Sequence, residues 1–287
     1  MAFQKFKPEV WSAKFMEDLD KTLVFKENCN HSYEGDARKP GDGVRILGLG
    51  DVTIGEWHHG KLETLGQAQE VTGHSIYMPI NEIRHFNFEV GDDLDKAQAQ
   101  GGSGLMAKFT TKAKDGIADK IDQFIAGLHV GNCDKAFIND TQITANPNPT
   151  GSEVYILDAI DDAYLKLLEN NVSRSTKVTL TAPPWFIMML KRAYVELDTD
   201  NSAMLANGRV GRYGGIILKE SNNVNVDSNG HSHIQLKTDE AIAFVNPYTH
   251  MEGYRPDLTF VDCVKGYTLF DGMVVAPKQV IDLNVYK

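Results

Sequence analysis

Leu105, Phe109, Ile117, Ile121, Phe124, Ile125 and Leu128 recur at helical spacing over roughly 24 residues, which predicts a helix of about 36 Å at 1.5 Å per residue. In a chain of 287 residues such a helix is a long spine, and it constrains the fold more than any other feature. Gly101-Gly-Ser-Gly104 interrupts the chain just before it, and Ser103 is the expected cap.

The half before the spine reads as extended. GDGVRILGLGDVTI, ending at Ile54, is β-branched strand material punctuated by glycine, and His74 to Val90 carries the alternating run IYMPINEIRHFNFEV. Between them lies a polar, glycine-rich excursion, Gly55 to Gly73, so the pair predicts a long hairpin, which buries little by itself and needs a partner. Further upstream, Trp11, Phe15, Leu19 and Leu23 recur every fourth position, the mark of a short amphipathic helix whose apolar stripe must dock.

After the spine, Val154, Leu157, Ile160, Tyr164, Leu167 and Leu168 form one face of a second helix, with Ser152 as its expected N-cap. A strand from Lys177 to Thr181 follows, and Pro183-Pro184 opens a third helix, WFIMMLKRAYV, apolar nearly all round and hence expected to be buried. From Gly208 the chain is mostly strands and turns. This order, without a regular βα alternation, predicts an α+β fold.

Composition narrows the function. With 42% hydrophobic and 24% charged residues the chain is globular, and it has neither a signal-peptide run nor the roughly 20 apolar residues of a membrane helix. Three widely spaced cysteines, Cys29, Cys133 and Cys263, argue against a disulfide framework or zinc ribbon and suit a reducing cytoplasm. A formal charge of -10 without a Lys/Arg run gives no footprint for gripping nucleic-acid phosphates.

Motifs for chemistry fail one by one. Gly55-Glu-Trp-His-His-Gly60-Lys61-Leu62 approaches a phosphate loop, but Leu62 replaces the magnesium-binding hydroxyl and bulky rings stand where backbone should meet an anion. Gly101-Gly-Ser103-Gly-Leu105 misses the final glycine of a nucleophile elbow. Gly208, Gly211 and Gly214 are spaced wrongly for a dinucleotide site and lead into a strand, Ile216 to Leu218. His58-His59 and His231-Ser-His233 lack partners at a recognised ligand spacing. No catalytic residue, cofactor or metal is expected, and the chain is read as not an enzyme.

The segments KPEVWSAKFMEDLDKTLVF, NCNHSYEGDARKPGDGVRILGLGDVTI, HFNFEVGDDLDKAQA, PPWF and GRVGRYGGIILKESNNV, in this order and spacing, resemble major capsid proteins of tailed bacteriophages. The resemblance implies the Hong Kong 97-type capsid fold. It would comprise an amino-terminal arm over 1–43, an extended loop over 44–77, a peripheral domain with the spine helix over 78–135, an axial domain over 136–245, and a carboxy-terminal return to the peripheral domain over 246–287. It also implies a homo-oligomer of pentamers and hexamers in an icosahedral virion shell, assembled in the host bacterial cytoplasm and enclosing double-stranded DNA without sequence-specific contact or any membrane. Portal and head-completion proteins would be partners. A separate scaffolding protein is expected because the chain reaches its arm at residues 3 to 10, and no Lys–Asn cross-link is expected. A bacterial nanocompartment shell of the same fold is the alternative, and a nucleotide hydrolase using Lys61 the remote one.

The candidate inter-subunit contacts are Trp11, Phe15, Trp57, His58, His59, Lys61, Arg209 and Arg212. An aromatic at a loop tip packs more readily on a neighbour than on its own chain. Trp57→Ala should therefore lower assembly yield, followed by sedimentation, more than it lowers the thermal midpoint of the free subunit; equal losses would count against that role.

Overall fold

The structure, a computed structural model, describes residues 24–33, 43–48, 54, 73–90, 102–133, 136–196, 211–257 and 261–287. Three sheets and three α-helices carry these residues. Strands β1 (Gly43–Gly48) and β2 (His74–Pro79) form the expected hairpin, antiparallel with Gly43 opposite Pro79 and Gly48 opposite His74. Strand β3 (Glu82–Val90) continues beyond a break at Ile80-Asn81.

The spine is α1 (Gly102–Gly127), 26 residues or about 39 Å. It begins one residue before Ser103, so that residue sits in the first turn and not at the cap position. Next come β4 (Ala136–Thr144), β5 (Val154–Tyr155), α2 (Ile156–Glu169), β6 (Val178–Ala182) and α3 (Pro184–Glu196). Tyr155, in extended backbone, is the N-cap of α2 and makes no side-chain cap bond. Ser152 is not the cap, because Val154 and Tyr155 pair with Ile143 and Thr144 of β4 and delay the helix. Buried Phe186, Ile187, Leu190 and Ala193 line one side of α3, but Met188 is 54% exposed, so the helix is half covered and not enclosed.

The carboxy-terminal third holds β7 (Arg212–Tyr213), β8 (Ile216–Glu220), β9 (Asn225–Val226), β10 (Ser232–Thr238), β11 (Ile242–Tyr254), β12 (Asp262–Val274) and β13 (Val280–Tyr286). The large sheet has the order β5-β4-β13-β10-β6-β8-β7, with β9 also on β10; the small one has the order β11-β12-β3. Gly214 and Gly215, with φ of 56° and 130°, make the two-residue turn between β7 and β8, where positive φ is required at both positions. That is the turn role read from the glycine run.

The strands of residues 246–287 divide between two sheets. Strands β11 and β12 join β3 beside the spine, whereas β13 enters the middle of the large sheet between β4 and β10. Its sequence explains the placement: Ile281, Leu283 and Val285 face one apolar core, and a strand with six of its seven residues buried cannot sit at an edge.

Three apolar cores result among the described residues. Helices α2 and α3 cover one face of the large sheet through Ile156, Ile160, Phe186 and Leu190 against Leu180, Leu236 and Leu283. Ile117, Ile121 and Ile125 of α1 pack on Phe244 and Phe270 of the small sheet, together with Phe25. On that sheet's other face Ala243, Val245 and Leu269 receive Val44, Ile46, Met78 and Ile80 from the hairpin. Strand β11 bulges between Val245 and Tyr248, where Pro247 has no N–H to give the ladder.

Residues 24–30 thread between α1 and the large sheet. Phe25 is 1% exposed, Asn30 N–H donates to the Ile242 carbonyl, and Phe244 N–H donates to the Asn30 carbonyl. Asp122 of α1 accepts the N–H groups of Val24 and Phe25, each at 3.4 Å. Burial pushes its carboxyl up to about 6, against the opposing pull of those two N–H groups. A carboxyl raised in the folded state contributes stability below its unfolded pKa that is lost as pH rises through the folded one, here from about 4 to about 6. Asp122→Asn should therefore remove a fall on the order of 3 kcal/mol between pH 4 and 6.5 in denaturant-unfolding free energy; identical slopes in variant and wild type would refute this.

Candidate assembly surface

The hairpin has an inner and an outer face because side chains alternate along each strand. Val44, Ile46 and Met78 point into the core described above. Arg45 stands opposite Tyr77 and Leu47 opposite Ser75 on the other face, where Leu47 is 81% and Tyr77 54% exposed. The Tyr77 ring lies across Gly43, where any Cβ would collide with it. Ile54, the next described residue, is 92% exposed. The ribbon thus has one face buried and leucine and tyrosine exposed on the other.

Its direction is fixed at the root. Asn81 N–H donates to Asp271 Oδ2 at 3.1 Å and Gly272 N–H to Oδ1 at 2.8 Å, pinning the β2–β3 junction to β12. Burial raises the Asp271 carboxyl, and these N–H groups oppose the rise.

The outer face of the small sheet continues from that root. His85, Tyr267 and His250 stand in one row across β3, β12 and β11, and Asn87, Lys265 and Glu252 in the next. They border a shallow groove of about 400 Å³. The rings of Tyr248, His250 and Tyr267 lie 5.7–6.1 Å apart, Lys265 Nζ sits 4.8 Å over the Tyr254 ring, and the same Nζ is 3.4 Å from Glu252. Ile83, 50% exposed, adds an apolar position at the sheet edge. The surface is mixed, aromatic and close to charge balance, a composition suited to contact with another protein.

Of the residues named from sequence, Arg212 is exposed at the start of β7, opposite Ile217 on the outermost strand of the large sheet. Trp11, Phe15, Trp57, His58, His59, Lys61 and Arg209 lie outside the described residues. The sequence reading missed Leu47, Tyr77, Ile83 and the His85–Tyr267–His250 row. For the first three the signal was present: the alternation in the two extended runs assigns them to one face each, but not which face is covered.

The local histidine pair separates. His231 Nδ1 is 2.5 Å from Asp140 Oδ1 and 3.8 Å from Asp227 Oδ2, and its ring stacks on Tyr286 at 4.5 Å. Asp227 Oδ1 accepts the N–H groups of Asn229 and His231, which lower its carboxyl against the opposing effect of desolvation. These groups form one compact cluster at the turn. His233 points to the interior. No helix among the described residues is long and apolar enough to cross a membrane.

No protein-family model and no curated protein matches the chain. Solved structures do. A chain of Mycobacterium phage Che8 is 22% identical with a TM-score of 0.69, covering 91% of both chains. The asymmetric unit of the bacteriophage PhiM1 mature capsid gives 14% identity and a TM-score of 0.67 over 92% of this chain and 87% of that one. The virus-like particle from Pyrococcus furiosus gives 13% and 0.56 over 98% and 100%. The chain thus has the α+β fold of phage capsid subunits, the Hong Kong 97-type fold that the sequence resemblance implied.

The two faces of the ribbon should respond differently to substitution. Leu47→Asp should leave the subunit's unfolding free energy within about 0.5 kcal/mol, while Met78→Ala, at a position 0% exposed, should cost about 2–5 kcal/mol. Equal losses in urea titrations would mean that the ribbon's outer face is packed on its own chain.

Proposed function

We propose that this chain is the structural subunit of a tailed-phage head, joining as pentamers and hexamers into an icosahedral shell around double-stranded DNA. The observation that carries the reading is the match to phage capsid subunits along more than nine-tenths of the chain. The ribbon supports it: heterologous contacts between copies bury an apolar face that one copy leaves open, and they close rings and shells.

In this reading residues 1–43 are the arm and the β1–β2 ribbon is the base of the extended loop. The peripheral domain is α1 with the small sheet, and the large sheet with α2 and α3 is the axial domain. Scaffolding, portal and head-completion proteins are its partners, and it assembles in the host bacterial cytoplasm before residing in the virion. A formal charge of -10 suits a wall that holds packed DNA without gripping it. The chain has no enzymatic task in this role.

A nanocompartment shell is the second reading, motivated by the similarity to the Pyrococcus furiosus particle, whose TM-score of 0.56 is below the 0.69 and 0.67 of the phage chains. Negative-stain microscopy of the expressed chain with its scaffolding partner should display rings or closed shells, and Leu47→Asp should abolish them. Monomers under crowding and at every salt concentration would end the proposal; shells loaded with one enzyme and no scaffold requirement would favour the compartment.

A further inference from the structure

A buried carboxylate held by two imidazoles joins the end of the spine to the middle of the large sheet. His129 lies in the turn after α1, Asp282 in β13 and His233 in β10. His129 Nε2 is 3.2 Å from Asp282 Oδ1 and His233 Nδ1 is 2.8 Å from Oδ2, with side chains 0%, 4% and 10% exposed for His129, Asp282 and His233. The two rings meet edge to face at 6.4 Å. Desolvation pushes the Asp282 carboxyl up, but the hydrogen bonds from His129 and His233 outweigh it and hold the group below the usual carboxylate range. Asp282 therefore stays ionised across the interval in which imidazoles titrate.

Hydrogen-bond accounting separates the two rings. Each donates an N–H to Asp282 from the nitrogen that faces it. The other nitrogen of His129, Nδ1, is buried without a partner among the described residues. As a bare lone pair it is tolerated, but as the second N–H of an imidazolium it is a buried charged donor with no acceptor, which costs far more. One proton beyond two neutral imidazoles and an ionised carboxylate makes the three groups neutral. A second, on His129, makes them a net cation.

The surroundings offer that cation little relief. Lys237, on the same face of β10 and 1% exposed, offers only N–H donors and gives them to the Asn28 carbonyl at 2.7 Å and to Cys29 Sγ at 3.4 Å. Asp122, on α1, accepts from the arm root, and the Cys29 thiol is pushed up by burial. Asp227 and Asp140 are engaged with His231, which stacks on Tyr286. Lys219 pairs with Glu27 at the outer end.

We propose that the His129–Asp282–His233 bridge is a proton-operated latch: it holds the end of the spine on the large sheet and releases it when His129 takes up a second proton. The latch belongs to the folded subunit and does not depend on what a shell of these subunits encloses. Combined with the proposed function, it makes proton uptake a way to change how the spine side of each subunit fits the large-sheet side.

Amide hydrogen exchange on the full chain, corrected for the intrinsic rate, tests it between pH 7.5 and 5.5. Protection at residues 126–133 and 280–286 should fall at least tenfold on acidification in the wild type, and His129→Gln should flatten that response. Asp122→Asn, a control for the neighbouring titrating carboxyl, should keep the drop. Asp282→Asn, a second variant of unchanged shape, should show weak protection in the same segments already at pH 7.5. Constant protection in the wild type, an equal fall in His129→Gln, or full protection in Asp282→Asn would each overturn the latch. Failure to form shells with the latch response intact would sink only the assembly reading.

Discussion

Strand β10 is buried on both faces, and the rest of the subunit is arranged around that constraint. Ile234 and Leu236 lock into the core that α2 and α3 share with the large sheet. His233, Gln235 and Lys237 point the other way, onto the arm root and the end of α1. Because β10 also pairs with β13, β6 and β9, a displacement of this strand would reach three other strands of the large sheet and the end of the spine together.

The small sheet plays the corresponding part for the exposed side. Phe244 and Phe270 take the spine on one face, while Ala243, Val245 and Leu269 take the ribbon on the other. Adjacent residues of β11 and β12 thus serve two cores, so the orientation of the ribbon depends on how the spine is seated. A contact made by the ribbon on another copy is in this way mechanically connected to the subunit interior.

Much of the scaffold was legible in the sequence because it rests on periodicity. The 3.6-residue spacing from Leu105 to Leu128 places α1, and the alternation from His74 to Val90 places β2 and β3. Cap residues read less well. Ser152 lost its role to a two-residue strand whose partner, β4, lies outside any local window. The path of β13 was hidden for the same reason: VIDLNVY alternates, which suggests one wet face, yet its polar residues are covered by chain from far away in sequence. As for the candidate surface, alternation names which residues share a face, but only the packing of Val44 and Met78 tells which face stays open.

The polar face of the large sheet is the least economical part of the structure and the most telling. Thr179, Gln235 and Asn28 are buried, and the amide atoms of Gln235 and Asn28 lack partners among the described residues. Leucines there would join the two halves of the subunit more strongly, since an apolar seam carries no desolvation cost. A polar seam is weaker but selective: Lys237 accepts only a covering segment that presents a carbonyl, as Asn28 does, and Asp282 only one that presents imidazole N–H groups. One sheet therefore has a sealed side, where α2 and α3 are permanent, and a keyed side, where arm root and spine are held by a few directional bonds. The distribution of buried polar groups puts the weaker seam of the fold between the spine and the large sheet.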